Sequence, residues 1–277
     1  AKDVLLKFIK LWSGKDMAVN IVSFPEACKN KLIKIRKRGE NSNSSLETED
    51  GVTEMVTDPR GVHQDEAVEL FLAPREREKI NPPKPAGGAG VLQMATGTGK
   101  TWTSFKIIRK LFSEGKIEKI IVETYGRSLL DQWYKEILKN LPEIVEIYRN
   151  YTDSSNVSWN EGQNFLYSGQ KSCLLTSTNK FPHFMDEATD EQLSKTIIIV
   201  DECHRIRTPG HIEQLAGQYH RIGYRLGLSA TPESEYSQDA NNFLFQEIGD
   251  TFFIFDLEEA IIRGILCPFD YVPINYT

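Results

Sequence analysis

Long hydrophobic runs are missing from this chain of 277 residues: the densest, Ile197-Ile198-Ile199-Val200, is far shorter than the roughly 18 apolar residues of a membrane-spanning helix. A helical membrane span is excluded, and no membrane partner is expected. Cysteine is scarce as well. Cys28, Cys173, Cys203 and Cys267 stand far apart with no C-x-x-C pair, which argues against a disulfide framework or a zinc ribbon and points to a reducing, cytoplasmic setting. Basic excess is absent too: Lys+Arg 33 against Asp+Glu 39 leaves a net charge of -6, so any contact with nucleic acid must be local. No secretory leader opens the chain, and it starts at Ala1 instead of Met, as a piece of a longer protein would. What is present is ordinary globular material, 40% hydrophobic and 26% charged, in a length that suits one large domain or two modest ones.

Residues 1–40 read as a small α+β segment, the end of a preceding domain. Val4–Trp12 has helical spacing, while Ala18–Val22 and Lys31–Arg36 read as short strands. Residues 41–58, rich in Asn, Ser, Glu and Asp, have too little apolar content to bury and read as a polar linker. From residue 59 to 277 strands alternate with helices. Strands are expected at Gly90–Met94, Lys119–Glu123, Ile144–Tyr148, Ser172–Thr176, Thr196–Val200 and Tyr224–Ser229, and helices at Thr101–Phe112 and Ser128–Leu138. That order implies an α/β fold with a doubly wound, mainly parallel sheet. A last helix starts after Asp256, whose spacing to Glu259 is that of a capping box, and ends at Gly264.

Ala95-Thr96-Gly97-Thr98-Gly99-Lys100-Thr101 lies between a strand and a helix, the context a phosphate-binding loop requires. Glycines let backbone N–H groups curl round an anion, and the helix N-terminus adds positive charge at the same point. Lys100 can reach the β- and γ-phosphates of ATP, and the Thr101 hydroxyl can ligate Mg²⁺. The generic G-x-x-x-x-G-K-[ST] pattern would have glycine where this chain has Met94, so the match is to A-x-x-G-x-G-K-T. The apolar run Thr196–Val200 then delivers Asp201 and Glu202 at a strand end, where α/β sheets place ligands. Asp201 would hold Mg²⁺ and Glu202 would polarise the attacking water.

These segments together resemble the first RecA-like motor domain of superfamily 2 helicases and translocases. Ala95–Thr101 resembles motif I, Asp201-Glu202-Cys203-His204 motif II in its DExH form, and Ser229-Ala230-Thr231 motif III. Glu123-Thr124 through Leu130-Asp131-Gln132-Trp133 is similar to motif Ia, and Thr176-Ser177-Thr178 to motif Ib. Gln64, four residues after Arg60 and just before a helix, is similar to the adenine-reading glutamine. Among the branches, Met94–Thr101, Leu129–Trp133 and Arg225–Pro232 look most like the type III restriction-enzyme helicase subunits.

The resemblance implies an ATP- and Mg²⁺-dependent motor acting on double-stranded DNA. It implies Lys100, Asp201, Glu202 and His204 as catalytic, Gln64 and Thr96 to Thr101 as nucleotide-binding, and Ser229 and Thr231 as coupling residues. Tyr125, Gly126, Arg127, Thr176, Ser177 and Thr178 would grip phosphates without reading bases. The arginine fingers of such motors come from a second RecA-like domain, which has no counterpart in this sequence, so the chain by itself is expected to be nearly inactive. Cys203 replaces the commoner alanine, and DECH also occurs among RNA-directed members, so a DExH RNA helicase stands as an alternative. So does a P-loop switch that does not translocate. Within the basic run Lys29–Arg38 an edge strand with a charged face competes with a backbone-tracking strip.

Limited proteolysis should cut within residues 41–58 and leave a fragment beginning near residue 59; protection of that stretch would overturn the domain assignment.

Overall fold

The computed structural model describes residues 61–73, 88–151, 158–234 and 237–268. The expected preceding segment, the linker and the basic run Lys29–Arg38 lie outside the described residues.

The elements follow in the order α1 (Val62–Leu72), β1 (Ala89–Met94), α2 (Lys100–Ser113), β2 (Lys119–Thr124), α3 (Arg127–Asn140), β3 (Glu146–Asn150), α4 (Ser158–Tyr167) and β4 (Ser172–Ser177). Then come α5 (Phe181–Glu187), α6 (Asp190–Ser194), β5 (Thr196–Asp201), a 3-10 turn (Cys203–Arg207), α7 (Pro209–Leu215) and a second 3-10 turn (Tyr219–Arg221). The described part closes with β6 (Tyr224–Ser229), α8 (Gln238–Glu247), β7 (Thr251–Phe255) and α9 (Leu257–Ile262).

The strands form a seven-stranded sheet in the order β3-β4-β2-β5-β6-β1-β7, and every described pairing is parallel. The expected sheet is therefore present, and fully parallel. Alternation along β5 shows why it must be covered twice. Ile197 and Ile199 join one core with α1, α2 and α3, whereas Ile198 and Val200 join a second with α4, α5 and α8. All four are fully or almost fully buried. A parallel strand with both faces buried reads as a continuous β-branched run, which is the pattern seen here.

Three differences from the expectations have physical reasons. β3 lies two residues later than expected, because Ile144 is taken into a turn in which its N–H donates to the Leu141 carbonyl after Pro142. β7 went unread because Thr251-Phe252-Phe253-Ile254-Phe255 is an edge strand with little alternation, and the segment was read only for the helix that follows it. Gln64 sits inside the first turn of α1, not before it. The expected cap of the last helix is present, with the Glu259 N–H donating to Asp256 Oδ1 at 2.9 Å.

Deleting side-chain volume at Ile198 should cost about 2–5 kcal/mol, since that site is sealed between two strands and three helices. Ile254 on β7 is 60% exposed, and Ile254→Thr should stay within about 0.5 kcal/mol of the parent. Urea midpoints of the two variants check the contrast.

A candidate nucleotide site and the loops beside it

β1 ends at Met94, which is fully buried and accepts a long contact of 3.9 Å from the Thr103 hydroxyl on its sulfur. The position where the generic motif would have glycine is therefore a core residue, and the loop proper starts one residue later. Gly97 and Gly99 have φ of 86° and 99°, in the left-handed region that glycine enters without cost. The N–H groups of Lys100 and Thr101, in the first turn of α2, have no intrahelical carbonyl to bond, and no side chain caps them.

Two neighbours hold this loop. The Ala95 N–H donates to the Phe255 carbonyl at 2.8 Å, so the unread strand β7 carries one end of it. His63 Nε2 lies 2.9 Å from the Thr98 carbonyl, and its ring stacks on Phe255 with centroids 4.3 Å apart. His63 was missed by sequence reasoning; its only signal was adjacency to Gln64. Gln64 does reach the loop, since a Cβ added at Gly99 would fall 2.5 Å from its Nε2. Thr96 and Gly97 are exposed, but Thr98 is buried and its hydroxyl donates to the Ala95 carbonyl at 2.7 Å. The Thr98 side chain thus shapes the loop, leaving only its backbone for a ligand.

Lys100 Nζ lies under the loop and donates to the Met94 carbonyl at 3.0 Å. Burial pulls its pKa below the ordinary lysine value, while the carboxylates of Glu202 and Asp201 act the other way. These three groups therefore share one place, though roughly a hundred residues separate them in sequence. Asp201 is pushed above the usual carboxylate range by burial, and the Trp133 indole opposes that by donating Nε1–H to Oδ2 at 2.8 Å. The Glu202 N–H donates to Asp201 Oδ1 at 3.0 Å. Glu202 has φ 52°, the one positive-φ residue other than glycine among those described. Such a backbone costs on the order of 1–2 kcal/mol for a residue with a Cβ.

β6 runs beside β5 and ends at Ser229, which is fully buried. His204 Nδ1 lies 3.1 Å from Ser229 Oγ and 3.3 Å from Glu202 Oε2. Burial lowers the His204 pKa, so the ring is neutral at pH 7. Ser229 Oγ also accepts from the Thr231 N–H at 3.1 Å. Glu202, His204, Ser229 and Thr231 thus form one continuous chain of contacts.

A nucleotide with its cation fits this arrangement. The loop turns on two glycines at positive φ, Gln64 packs against Gly99, and Lys100 feels the charges of Asp201 and Glu202. Thr101 and Asp201 are the residues that would hold Mg²⁺, and Gly97 to Lys100 the phosphates.

The loops expected to meet nucleic acid divide. Tyr125 is 52% exposed with the Arg205 guanidinium 5.2 Å above its ring, and Arg127 is exposed at the start of α3 beside Gly126. Ser177 is half-buried. Thr176 and Thr178, by contrast, are buried, and their hydroxyls are used internally: Thr176 Oγ1 accepts from Asn150 Nδ2 at 3.4 Å, and Thr178 bonds Glu123. The hydroxyls of these two residues are thus engaged inside the protein, beneath the exposed Tyr125 and Arg127. Glu123 is wholly buried, accepts from the Tyr219 hydroxyl at 2.7 Å, and leaves Oε1 without a partner.

With the geometry in place, comparison with known proteins gives a consistent answer. The family model described as "Type III restriction enzyme, res subunit" matches residues 61–234. The endonuclease subunit of the type I restriction enzyme EcoAI from Escherichia coli is 24% identical over 190 residues, covering 67% of this chain and 21% of that protein. The endonuclease subunit of the type I restriction enzyme SsaAORF53P from Staphylococcus saprophyticus subsp. saprophyticus is 27% identical over 192 residues, covering 66% of this chain and 20% of that one. The chain thus spans about a fifth of the length of each relative. Among solved structures, a nuclease-deletion mutant of the Type ISP restriction-modification enzyme LlaGI, in complex with a DNA substrate mimic, shares the fold. Its TM-score is 0.52 at 19% identity, over 76% of this chain and 21% of that one.

Burial raises the pKa of Glu123 to about 7, against an ordinary 4.5. The folded state therefore keeps this proton where the unfolded chain has lost it. The resulting contribution to stability is complete below about pH 4.5 and is lost as pH rises through about 7. Glu123→Gln, which mimics the protonated form, should match the parent at pH 4.5 and exceed it at pH 8 by on the order of 3 kcal/mol, as read from urea unfolding at the two pH values.

Proposed function

The chain belongs to the family of type III restriction enzyme res subunits, and from that membership we propose that residues 59–277 are the ATP-binding motor lobe of a DNA translocase. Such a motor would serve restriction, repair or phage defence in the cytoplasm. The observation that carries the reading is a left-handed glycine loop at the carboxyl end of β1 whose Lys100 lies within electrostatic reach of Asp201 and Glu202 at the carboxyl end of β5. A coenzyme-binding fold alone would need the loop; hydrolysis also needs the two carboxylates.

In this reading Gly97 to Thr101 bind the phosphates of ATP through backbone N–H groups, and Gln64 approaches the base. Lys100 leaves the Met94 carbonyl and neutralises phosphate charge. Bound Mg²⁺·ATP supplies the phosphoryl group and the cation charge that offsets its transfer. Asp201 and Thr101 would hold the cation, and Glu202 would accept a hydrogen bond from the attacking water and take its proton. His204 and Ser229 transmit the state of Glu202 to Thr231 and the loop after β6. Tyr125, Gly126, Arg127 and Ser177 meet the nucleic-acid backbone, with Thr176 and Thr178 behind them.

A second RecA-like lobe would bring an arginine across the cleft, a contribution of roughly 10³–10⁵ in rate. Without it this lobe should hydrolyse ATP very slowly. Cys203, which is buried against β6, keeps the RNA-helicase alternative in view, since the residue that marks DECH does not itself reach the surface.

Lys100→Ala should weaken ADP binding more than tenfold by calorimetry. Glu202→Gln should hold ADP affinity within about twofold and, in a chain extended through the second lobe, lower ATP turnover at least about a hundredfold. Stimulation of that extended enzyme by duplex DNA and not by RNA identifies a DNA motor. The reverse identifies an RNA helicase, and insensitivity to both identifies a switch.

A further inference from the structure

We propose that Trp133 is a positioning residue that ties the nucleic-acid-facing loop to the metal-holding carboxylate, so that displacement of α3 is felt at Asp201. The proposal rests on the nucleotide reading of the site. α3 begins at Arg127, directly after Tyr125 and Gly126, and Trp133 lies six residues further along, roughly 9 Å down the same rigid helix.

The indole is 3% exposed, and its ring meets Phe105 of α2 edge-on, at 5.7 Å and 84°. That packing fixes where its single N–H donor can point. It points at Asp201 Oδ2, 2.8 Å away, while Oδ1 accepts from the Glu202 N–H at 3.0 Å. With one donor on each oxygen the carboxylate cannot rotate, and its remaining lone pairs keep a fixed direction for a cation. A second contact joins the same two segments at their other ends, the Arg205 guanidinium over the Tyr125 ring at 5.2 Å. Residues 125–133 and 201–205 are therefore joined at two points. A shift of the loop on a phosphate backbone cannot leave both contacts unchanged, because the helix between them does not bend over two turns. Plain core packing would call for an aromatic ring at this position; it would not call for an N–H directed at the half-buried Asp201 carboxylate at the end of β5.

Trp133→Phe keeps an aromatic ring facing Phe105 and removes the N–H. Calorimetry of the 277-residue chain should show ADP affinity in EDTA unchanged and the gain in ADP affinity on adding Mg²⁺ reduced about tenfold or more, in line with the loss of a hydrogen bond that orients a metal ligand. In the parent chain the Trp133 indole ¹H–¹⁵N resonance should move on adding Mg²⁺·ADP and also on saturating with a DNA duplex. That resonance is the one missing from Trp133→Phe or, should that variant not fold, the one left after Trp12, Trp102 and Trp159 are each changed to Phe. An undiminished Mg²⁺ gain in the variant, or a resonance indifferent to either addition while the parent binds Mg²⁺·ADP, overturns the proposal and leaves the nucleotide reading standing. A parent chain that binds no ADP overturns both.

Discussion

A parallel sheet buried on both faces has only its ends left for chemistry, and that constraint organises this molecule. Helices cover Ile197 and Ile199 on one side and Ile198 and Val200 on the other, so no side chain in the body of β5 can meet a ligand. Side chains free of the sheet begin where the strand runs out, at Asp201. The same holds for Met94 before the glycine loop, Thr124 before the Tyr125 loop, and Ser229 before Thr231. Because β1, β6, β5 and β2 are consecutive neighbours in the sheet, their four ends lie side by side, and residues far apart in sequence become one site.

Much of this was legible from the sequence, and the reason is local chemistry. A glycine loop between strand and helix, and a β-branched run ending in two acids, are patterns whose spacing carries their geometry. The helix starting after Asp256 was legible for the same reason, because a cap is written within four residues. What escaped was set by distant partners. β7 is held by pairing with β1 and shows little period of its own, yet it supports the loop through Phe255. His63 acquires its role only because α1 is laid across the loop. Thr176 and Thr178 carry hydroxyls suited to phosphate, and only the packing reveals that Glu123 and Asn150 have already engaged them. Trp133 reads as an ordinary core aromatic until Asp201 is placed beside it.

One group of buried polar side chains lies where strands end. Glu123, Thr124, Thr176, Thr178 and Ser229 are all buried, and all lie at or just past the carboxyl ends of β2, β4 and β6. A low-dielectric setting makes each hydrogen bond among them stronger and each unmet one costlier. The loops above them are thus seated on a layer of directional polar contacts, unlike the apolar packing in the middle of the sheet.

Glu202 shows what the active end of β5 demands of its backbone. At φ 52° glycine or asparagine would sit more comfortably, and a protein selected for durability alone would drift toward one of them. Either change would leave the fold intact and remove the carboxylate. An acid in a conformation that disfavours it thus holds its carboxylate beside Asp201 and His204 at a cost in backbone strain, written in a single torsion angle.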